Sequence, residues 1–132
     1  MIVLDTSYII DYLRGVDAAR DLVGDGDEIA ITVVTYHEIM TGLKRKKRRR
    51  EEKILRRFLS EIRILPFDIN AADESSSIAA RLMAVGKAVN ALAILIAGIA
   101  IASGAEKIIT GDSDFLEIAK VSNIEVVLYG RG

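Results

Sequence analysis

Short apolar runs and longer amphipathic stretches alternate along the chain. The runs rich in Val, Ile and Leu predict buried strands at residues 2–4, 28–34, 62–67, 107–110 and 124–128. Apolar residues spaced three or four apart predict helices at residues 6–13, 17–23, 35–43, 51–59, 71–85, 91–102 and 114–119. Because strands that alternate with helices form parallel sheets covered on both faces, we expect one α/β domain over residues 1–132.

Composition narrows the chemistry that this domain can carry. The chain is 51% hydrophobic and 28% charged, as in folded globular proteins, and its formal net charge is −1. It has no cysteine and one histidine, His37, so disulfides and Cys-ligated or multi-His metal sites are excluded within one chain. Any metal ion would be held mainly by oxygen.

The ends and the most apolar segment predict a cytoplasmic protein with no membrane partner. The N-terminus has neither the basic region nor the cleavage signal of a secretory leader. Residues 88–102 are nearly all apolar, but they include Asn90 and fall short of the roughly 20 residues that a membrane span needs.

Acidic residues follow three of the predicted strands. Asp5 ends the first strand, Asp112 follows the fourth, and Glu38 lies one turn into the helix after the second. Ligands of open parallel sheets bind outside the carboxyl ends of the strands, so these three side chains are expected to meet there. Clustered carboxylates repel one another unless a hard cation compensates, which favours an Mg²⁺ site.

Each acidic residue also has a purely structural interpretation. Asp5 is a good N-cap for the first helix. Thr35 and Glu38 fit a capping box, and Asp112 to Asp114 fit a turn followed by a helix cap. For Asp5 and Glu38 taken alone, capping is the better explanation. For Asp112 to Asp114, the structural and the metal-site interpretations are evenly matched. Their predicted coincidence at one sheet edge favours a metal site.

The set of motifs, in this order, resembles PIN domains, particularly the toxin ribonucleases of VapBC-type toxin–antitoxin pairs. The motifs are Leu4-Asp5-Thr6-Ser7, then Thr35-x-x-Glu38, then Thr110-Gly111-Asp112-Ser113-Asp114-Phe115. The resemblance implies a five-stranded parallel sheet of order 3-2-1-4-5. It also implies RNA cleavage that depends on Mg²⁺ or Mn²⁺, a homodimer, and a cognate antitoxin that blocks the site.

The same resemblance implies roles for individual residues. Asp5, Glu38 and Asp112 would be catalytic acids that bind the metal, and Asp114 would be a further catalytic acid nearby. Thr6, Ser7 and Thr110 would supply hydroxyls that orient those carboxylates or their waters.

The sequence departs from the family pattern at one acidic position. The family usually has an Asp at the start of the helix before the fourth strand, and Ala93 stands in its place. Asn90, three residues earlier, is expected near the mouth of the site but is a poor geometric substitute. We therefore expect weak metal binding and poor activity. The substitution is either an engineered inactivation or a natural divergence, and the sequence leaves both open.

Seven consecutive basic residues stand out in a chain of nearly neutral charge. They are Lys44, Arg45, Lys46, Lys47, Arg48, Arg49 and Arg50. The run is expected at a helix end or connector, where it either contacts RNA phosphates or complements a helix dipole. His37 is adjacent to Glu38 but faces a different direction on a helix, so we expect it to be exposed or packed rather than a ligand.

The leading hypothesis is therefore a toxin-like, metal-dependent endoribonuclease impaired at Ala93. One alternative is a catalytically silent PIN domain that binds RNA or an antitoxin. Another is a receiver-like signalling domain, which is disfavoured because Thr6 and Ser7 follow Asp5 where a receiver has a pair of acids.

Overall fold

The computed structural model describes residues 1–130, which form a five-stranded parallel sheet of order β3-β2-β1-β4-β5. The strands are β1 (Ile2–Leu4), β2 (Ile29–Thr32), β3 (Arg63–Leu65), β4 (Lys107–Thr110) and β5 (Glu125–Leu128). The predicted fold class and strand order are confirmed. Strand β1 is central, and Val3 is paired with Ala30 of β2 and Ile108 of β4.

Within residues 1–130, seven helices connect and cover the strands. They are α1 (Thr6–Leu13), α2 (Asp17–Arg20), α3 (Val33–Arg45), α4 (Arg49–Leu59), α5 (Ile69–Ala84), α6 (Ala91–Ala102) and α7 (Asp114–Lys120). Among the described residues, no helix has both the length and the apolar character needed to cross a membrane.

The core has a layer on each face of the sheet. In β1, Val3 packs with residues of α5, α6 and α7, while Ile2 and Leu4 pack with residues of α1, α3 and α4. Successive strand residues point to opposite faces, so a strand covered on both sides must be apolar throughout. This explains why β1 is a continuous apolar run.

The junction between β2 and α3 differs from the prediction. The strand ends at Thr32 rather than at residue 34, and α3 begins at Val33. Thr32 is the N-cap, and its Oγ1 accepts a hydrogen bond from the backbone N–H of Thr35 at 3.1 Å. The capping box with Thr35 as its cap is therefore wrong, because Thr35 already lies inside the helix. Glu38 falls in the second turn of α3.

The basic run lies at the turn between α3 and α4, as expected. Lys47 has a positive φ of 53°, and its N–H donates to the carbonyl of Lys44 at 3.1 Å. The N–H of Arg48 donates to the carbonyl of Leu43 at 3.0 Å. These two bonds are those of a Schellman motif, which closes the helix tightly and fixes the direction of the next one.

The other boundaries shift by a few residues. Helix α2 ends at Arg20 rather than at residue 23, α4 and α5 each begin two residues early, and β3 spans only Arg63–Leu65. For α5 the cause is Asp68, whose Oδ1 accepts from the N–H of Ala71 at 2.9 Å and so caps the helix before the apolar pattern begins.

Candidate metal centre

A cavity of about 400 Å³ opens at the carboxyl ends of β1 and β4. This is the edge of the sheet at which the sequence predicted a site. The side chains that line the cavity come from the junction of β1 and α1, from α3, from the start of α6, and from the loop after β4 and the start of α7. They include Asp5, Thr6, Ser7, Ile10, Glu38, Asn90, Leu92, Ala93, Ile96, Asp112, Ser113 and Phe115.

Asp5 lies directly after β1, is 4% exposed and is held by neighbouring hydroxyl groups. Its Oδ2 accepts hydrogen bonds from Ser7 Oγ and Thr110 Oγ1, both at 2.8 Å, and a longer one from the N–H of Ser7 at 3.4 Å. Asp5 is also the N-cap of α1. The structural and the functional interpretations of this residue are therefore compatible, since one carboxylate caps the helix and faces the cavity.

The same two hydroxyl groups hold the loop that carries Asp112. Ser7 Oγ accepts from the N–H of Gly111, and Thr110 Oγ1 accepts from the N–H of Asp112, both at 2.9 Å. Each hydroxyl donates its one proton to Asp5 and accepts from the loop, so its hydrogen-bonding direction is fixed. The β4 loop is thereby tied to the end of β1.

Glu38 reaches the cavity from α3. Its Oε1 accepts from Thr6 Oγ1 at 2.8 Å, and Thr6 Oγ1 also lies 3.2 Å from Thr35 Oγ1. Thr35 is a fully buried hydroxyl that sequence reasoning did not assign to the site. Its position three residues before Glu38 on one helix face was the signal that could have found it.

Burial raises the pKa of both Asp5 and Glu38 above the ordinary carboxyl values. For Asp5, the hydrogen bonds from Ser7 and Thr110 oppose the effect of burial on the pKa. For Glu38, the hydrogen bond from Thr6 and the charge of His37 lower the pKa, whereas the charges of Asp5 and Asp112 raise it. Within the described residues, no Lys, Arg or His lines this cavity.

Ala93 lies in the lining of the same cavity, in the first turn of α6, and is 5% exposed. Asn90 is the N-cap of that helix, and its Oδ1 accepts from the N–H of Leu92 at 2.8 Å. A carboxylate at position 93 would therefore enter a cavity that already contains Asp5, Glu38 and Asp112.

Asp114 is placed differently from the other predicted acids. It does not line the carboxylate cavity, and its Oδ2 accepts from the N–H of Asn90 at 3.2 Å. Its own N–H donates to Asp112 Oδ1 at 2.9 Å. Asp114 thus joins the start of α7 to the start of α6, and it positions the turn that carries residue 93.

The donors in the cavity suit a hard divalent cation, because they are carboxylate and hydroxyl oxygens. Within residues 1–130, however, no three His, Asp or Glu side chains are grouped closely enough to hold one ion together. The arrangement fits an ion that keeps several of its waters and takes few protein ligands, as Mg²⁺ does.

The basic run and His37 are all exposed and lie outside the lining of the carboxylate cavity. His37 is exposed on α3, which is one of the two placements expected for it.

The chain belongs to the PIN domain family, because the model of that family matches residues 2–121. An uncharacterized protein from Archaeoglobus fulgidus is 50% identical over 42 residues, which cover 32% of this chain and 79% of that protein. The predicted family is confirmed.

Chains of several solved structures have the same fold. VapBC2 from Rickettsia felis, bound to a DNA fragment from its promoter, aligns with a TM-score of 0.83 and 23% identity, over 97% of this chain and 98% of that one. DNA-bound VapBC from Salmonella typhimurium gives a TM-score of 0.80 and 23% identity, over 96% of each chain. FitAcB from Neisseria gonorrhoeae gives 0.76 and 25% identity, over 96% of each chain.

Proposed function

We propose that this PIN domain is an endoribonuclease dependent on Mg²⁺ or Mn²⁺, the toxin of a toxin–antitoxin pair, and that Ala93 impairs it. The observation that carries the proposal is the placement of Asp5, Glu38, Asp112 and Ala93 around one cavity at the carboxyl edge of the sheet. Membership of the PIN family supports the nuclease class.

Asp5, Glu38 and Asp112 are the residues that would hold the cation, some of them through the waters that it keeps. When bound, Mg²⁺ or Mn²⁺ supplies positive charge to the phosphodiester and acidifies water. The two raised pKa values support this assignment, since a cation would offset the cost of burying charged carboxylates.

The protein's own groups position the reaction. Ser7 and Thr110 fix the orientation of the Asp5 carboxylate and hold the loop of Asp112 against it. Thr6 fixes one oxygen of Glu38.

Because Ala93 stands where the family usually has an aspartate, the lining of this cavity carries one negative charge fewer. Electrostatic attraction of a divalent cation falls with each carboxylate that is removed, and a second ion would be affected most. We therefore propose weak metal binding and low activity for the chain as it stands.

The partners that we propose for this chain are those expected of a PIN-domain toxin. Several structural neighbours are complexes of VapBC toxin–antitoxin systems, which supports an antitoxin as the partner of this chain in the cytoplasm. We also propose that the domain forms a homodimer, and that the exposed residues 44–50 contribute contacts to RNA phosphates.

A silent PIN domain that binds RNA or an antitoxin without cutting is the second candidate. The specific observation in its favour is the absence of a three-acid metal group from the described residues. It predicts binding without metal-dependent cleavage even when the carboxylate is restored.

The two candidates are separated by cleavage of generic single-stranded RNAs with Mn²⁺, with and without EDTA. The proteins compared are this chain, Ala93→Asp, and Ala93→Asn as an uncharged control of similar size. The nuclease proposal expects cleavage by Ala93→Asp alone, and EDTA should stop it. Robust cleavage by the unmodified chain would refute the impairment, and inactive Ala93→Asp would favour the silent domain.

A further inference from the structure

A second groove, also of about 400 Å³, adjoins the carboxylate cavity. It lies between α1, α3 and α4, and both spaces are lined by Ile10 and Glu38. The side chains of Ile10 and Glu38 therefore border both spaces. A ligand that lies along the groove would have one end at the carboxylates.

One face of α3 forms the side of this groove. Glu38, Gly42 and Lys46 are spaced four residues apart, so they lie along one face over two turns, or about 12 Å. Gly42 leaves a gap in the middle of that face, because a Cβ added there would meet no atom within 4 Å. The space over Gly42, between Glu38 and Lys46, is therefore open.

Three cationic side chains line the groove beyond Gly42. Arg14 is the C-cap of α1, Lys46 is the C-cap of α3, and Arg48 is the N-cap of α4. All three are exposed, and the Schellman turn at Lys47 fixes the backbone that carries the last two. Because these cations come from three different helix ends, they are brought together by the tertiary fold.

The remaining lining determines what kind of ligand fits. Leu13, Ile39, Leu43 and Leu55 give the groove an apolar floor. Its anions are Glu38, which borders both spaces, and Glu51, whose Oε1 lies 3.8 Å from Arg48 Nη1 in an exposed pair that adds little stability.

We propose that this groove is the binding site for the single-stranded RNA that flanks the cleavage position, with Arg14 and Lys46 contacting its phosphates and the apolar floor contacting its bases. The proposal rests on the ribonuclease function proposed above. It combines charge complementarity with proximity to the carboxylates. Single-stranded nucleic acids are commonly bound in this way, by cations that follow the backbone beside surfaces that accept base faces.

The proposal divides the basic residues into two groups. Lys46 and Arg48 line the groove, and they are joined by Arg14, which lies outside the basic run. Lys44, Lys47 and Arg49 line a different cavity, on the α3–α4 connection, which Arg48 lines as well, and Arg45 and Arg50 line neither space. Sequence reasoning treated the seven residues as one patch because only the fold brings Arg14 beside two of them.

The first test compares two double variants of equal charge. Arg14→Gln/Lys46→Gln removes two cations from the groove, and Lys53→Gln/Arg57→Gln removes two exposed cations of α4 that do not line it. Fluorescence anisotropy with a labelled single-stranded RNA of mixed sequence would be measured in EDTA over a range of salt concentrations. EDTA keeps the binding result independent of whether the protein cleaves.

We expect the groove variant alone to lose RNA affinity and to flatten the plot of log affinity against log salt by about 1.4, or about 0.7 for each phosphate that the protein no longer neutralises. An unchanged slope for the groove variant, or an equal change in both variants, would overturn the proposal. The first result would leave the groove to a protein partner, and the second would indicate attraction by net charge alone.

A second variant tests the path without removing a charge. Gly42→Leu places a side chain in the open middle of the groove and replaces a poor helix former with a good one, so folding should not suffer. We expect weaker RNA binding in EDTA. In the Ala93→Asp protein, we expect a raised KM with kcat little changed. Undiminished RNA affinity in a Gly42→Leu protein of normal thermal stability would contradict the proposed path.

Discussion

At the scale of single residues, the site depends on hydroxyl groups that each make two directed hydrogen bonds. Thr110 is fully buried, donates to Asp5 and accepts from the N–H of Asp112. Ser7 makes the matching pair of bonds to Asp5 and Gly111. A buried polar group that loses its partner keeps the full cost of its desolvation. The geometry of the acids is therefore coupled to the stability of the fold.

Thr110→Val tests this coupling. The substitution keeps the shape of the side chain but leaves one oxygen of Asp5 with fewer donors and the N–H of Asp112 without its acceptor. We expect a loss of about 1–3 kcal/mol in the free energy of unfolding, measured by urea denaturation. The control is Thr41→Val, which removes an exposed hydroxyl bonded to the carbonyl of His37 and should have little effect. Equal effects of the two variants would contradict the account.

The raised pKa values predict how the stability of the metal-free protein depends on pH. A carboxyl whose pKa is higher in the folded than in the unfolded protein stabilises the fold when it is protonated. That contribution is complete below the ordinary carboxyl pKa and is lost as the pH rises through the raised value. Asp5 and Glu38 should therefore make the protein less stable in EDTA as the pH rises from acidic to neutral.

Glu38→Gln should remove the contribution of Glu38 to the pH dependence of stability. Glutamine can still accept the hydrogen bond from Thr6 but carries no charge. In EDTA we expect a higher Tm than that of the unmodified protein at neutral pH, and no difference at a pH where Glu38 is protonated. Glu125→Gln, at an exposed position on β5, is the matched control. A lower Tm for Glu38→Gln at neutral pH would show that the charge of Glu38 does not destabilise the metal-free site.

At the scale of elements, the packing of α6 on α5 determines where position 93 lies. A Cβ added to Gly98 would lie 2.6 Å from Ser75 Cβ and 2.7 Å from the carbonyl oxygen of Ala71. The two helices are therefore as close as a glycine allows. Because α6 begins at Ala91, this contact also fixes the turn that carries Ala93 into the cavity.

Gly98→Ala should force the two helices apart. We expect a loss of about 1–3 kcal/mol in the free energy of unfolding, the usual cost of overpacking a core. Gly42→Ala, where an added Cβ meets no atom within 4 Å, should instead gain up to about 1 kcal/mol from helix propensity. Thermal denaturation of both variants measures the contrast. If Gly98→Ala left the stability of the protein unchanged, α5 and α6 would be able to separate at no cost, which would contradict this description of their packing.

The elements also show which features of the sequence were informative. Residues 6–13, 91–102 and 107–110 were predicted with the observed bounds because their apolar patterns end at clear polar or glycine signals. The start of α3 was predicted two residues late, since Thr32 reads as the last residue of an apolar strand although its hydroxyl caps the helix. Propensity alone does not distinguish a threonine at the end of a strand from one that begins a helix.

At the scale of the whole molecule, the parallel sheet brings residues 5, 38, 93 and 112 to one edge. The convergence of residues 5, 38 and 112 followed from the strand–helix order, because the carboxyl ends of parallel strands share an edge, whereas position 93 was identified only through the resemblance to PIN domains. The division of the basic residues between two cavities and the position of Asp114 outside the lining of the carboxylate cavity did not follow from the sequence. Both depend on how helix ends pack, and a linear pattern does not contain that information.

The most direct test of the central claim is Mn²⁺ binding, measured by isothermal titration for this chain, Ala93→Asp and Ala93→Asp/Asp5→Asn. If the cavity is a metal site that lacks one acid, Ala93→Asp should bind Mn²⁺ more tightly by at least the roughly 10- to 100-fold effect of an outer metal-site partner. Asp5→Asn should reverse the gain. Equal affinities for this chain and Ala93→Asp would contradict the claim that Ala93 stands where a metal ligand belongs.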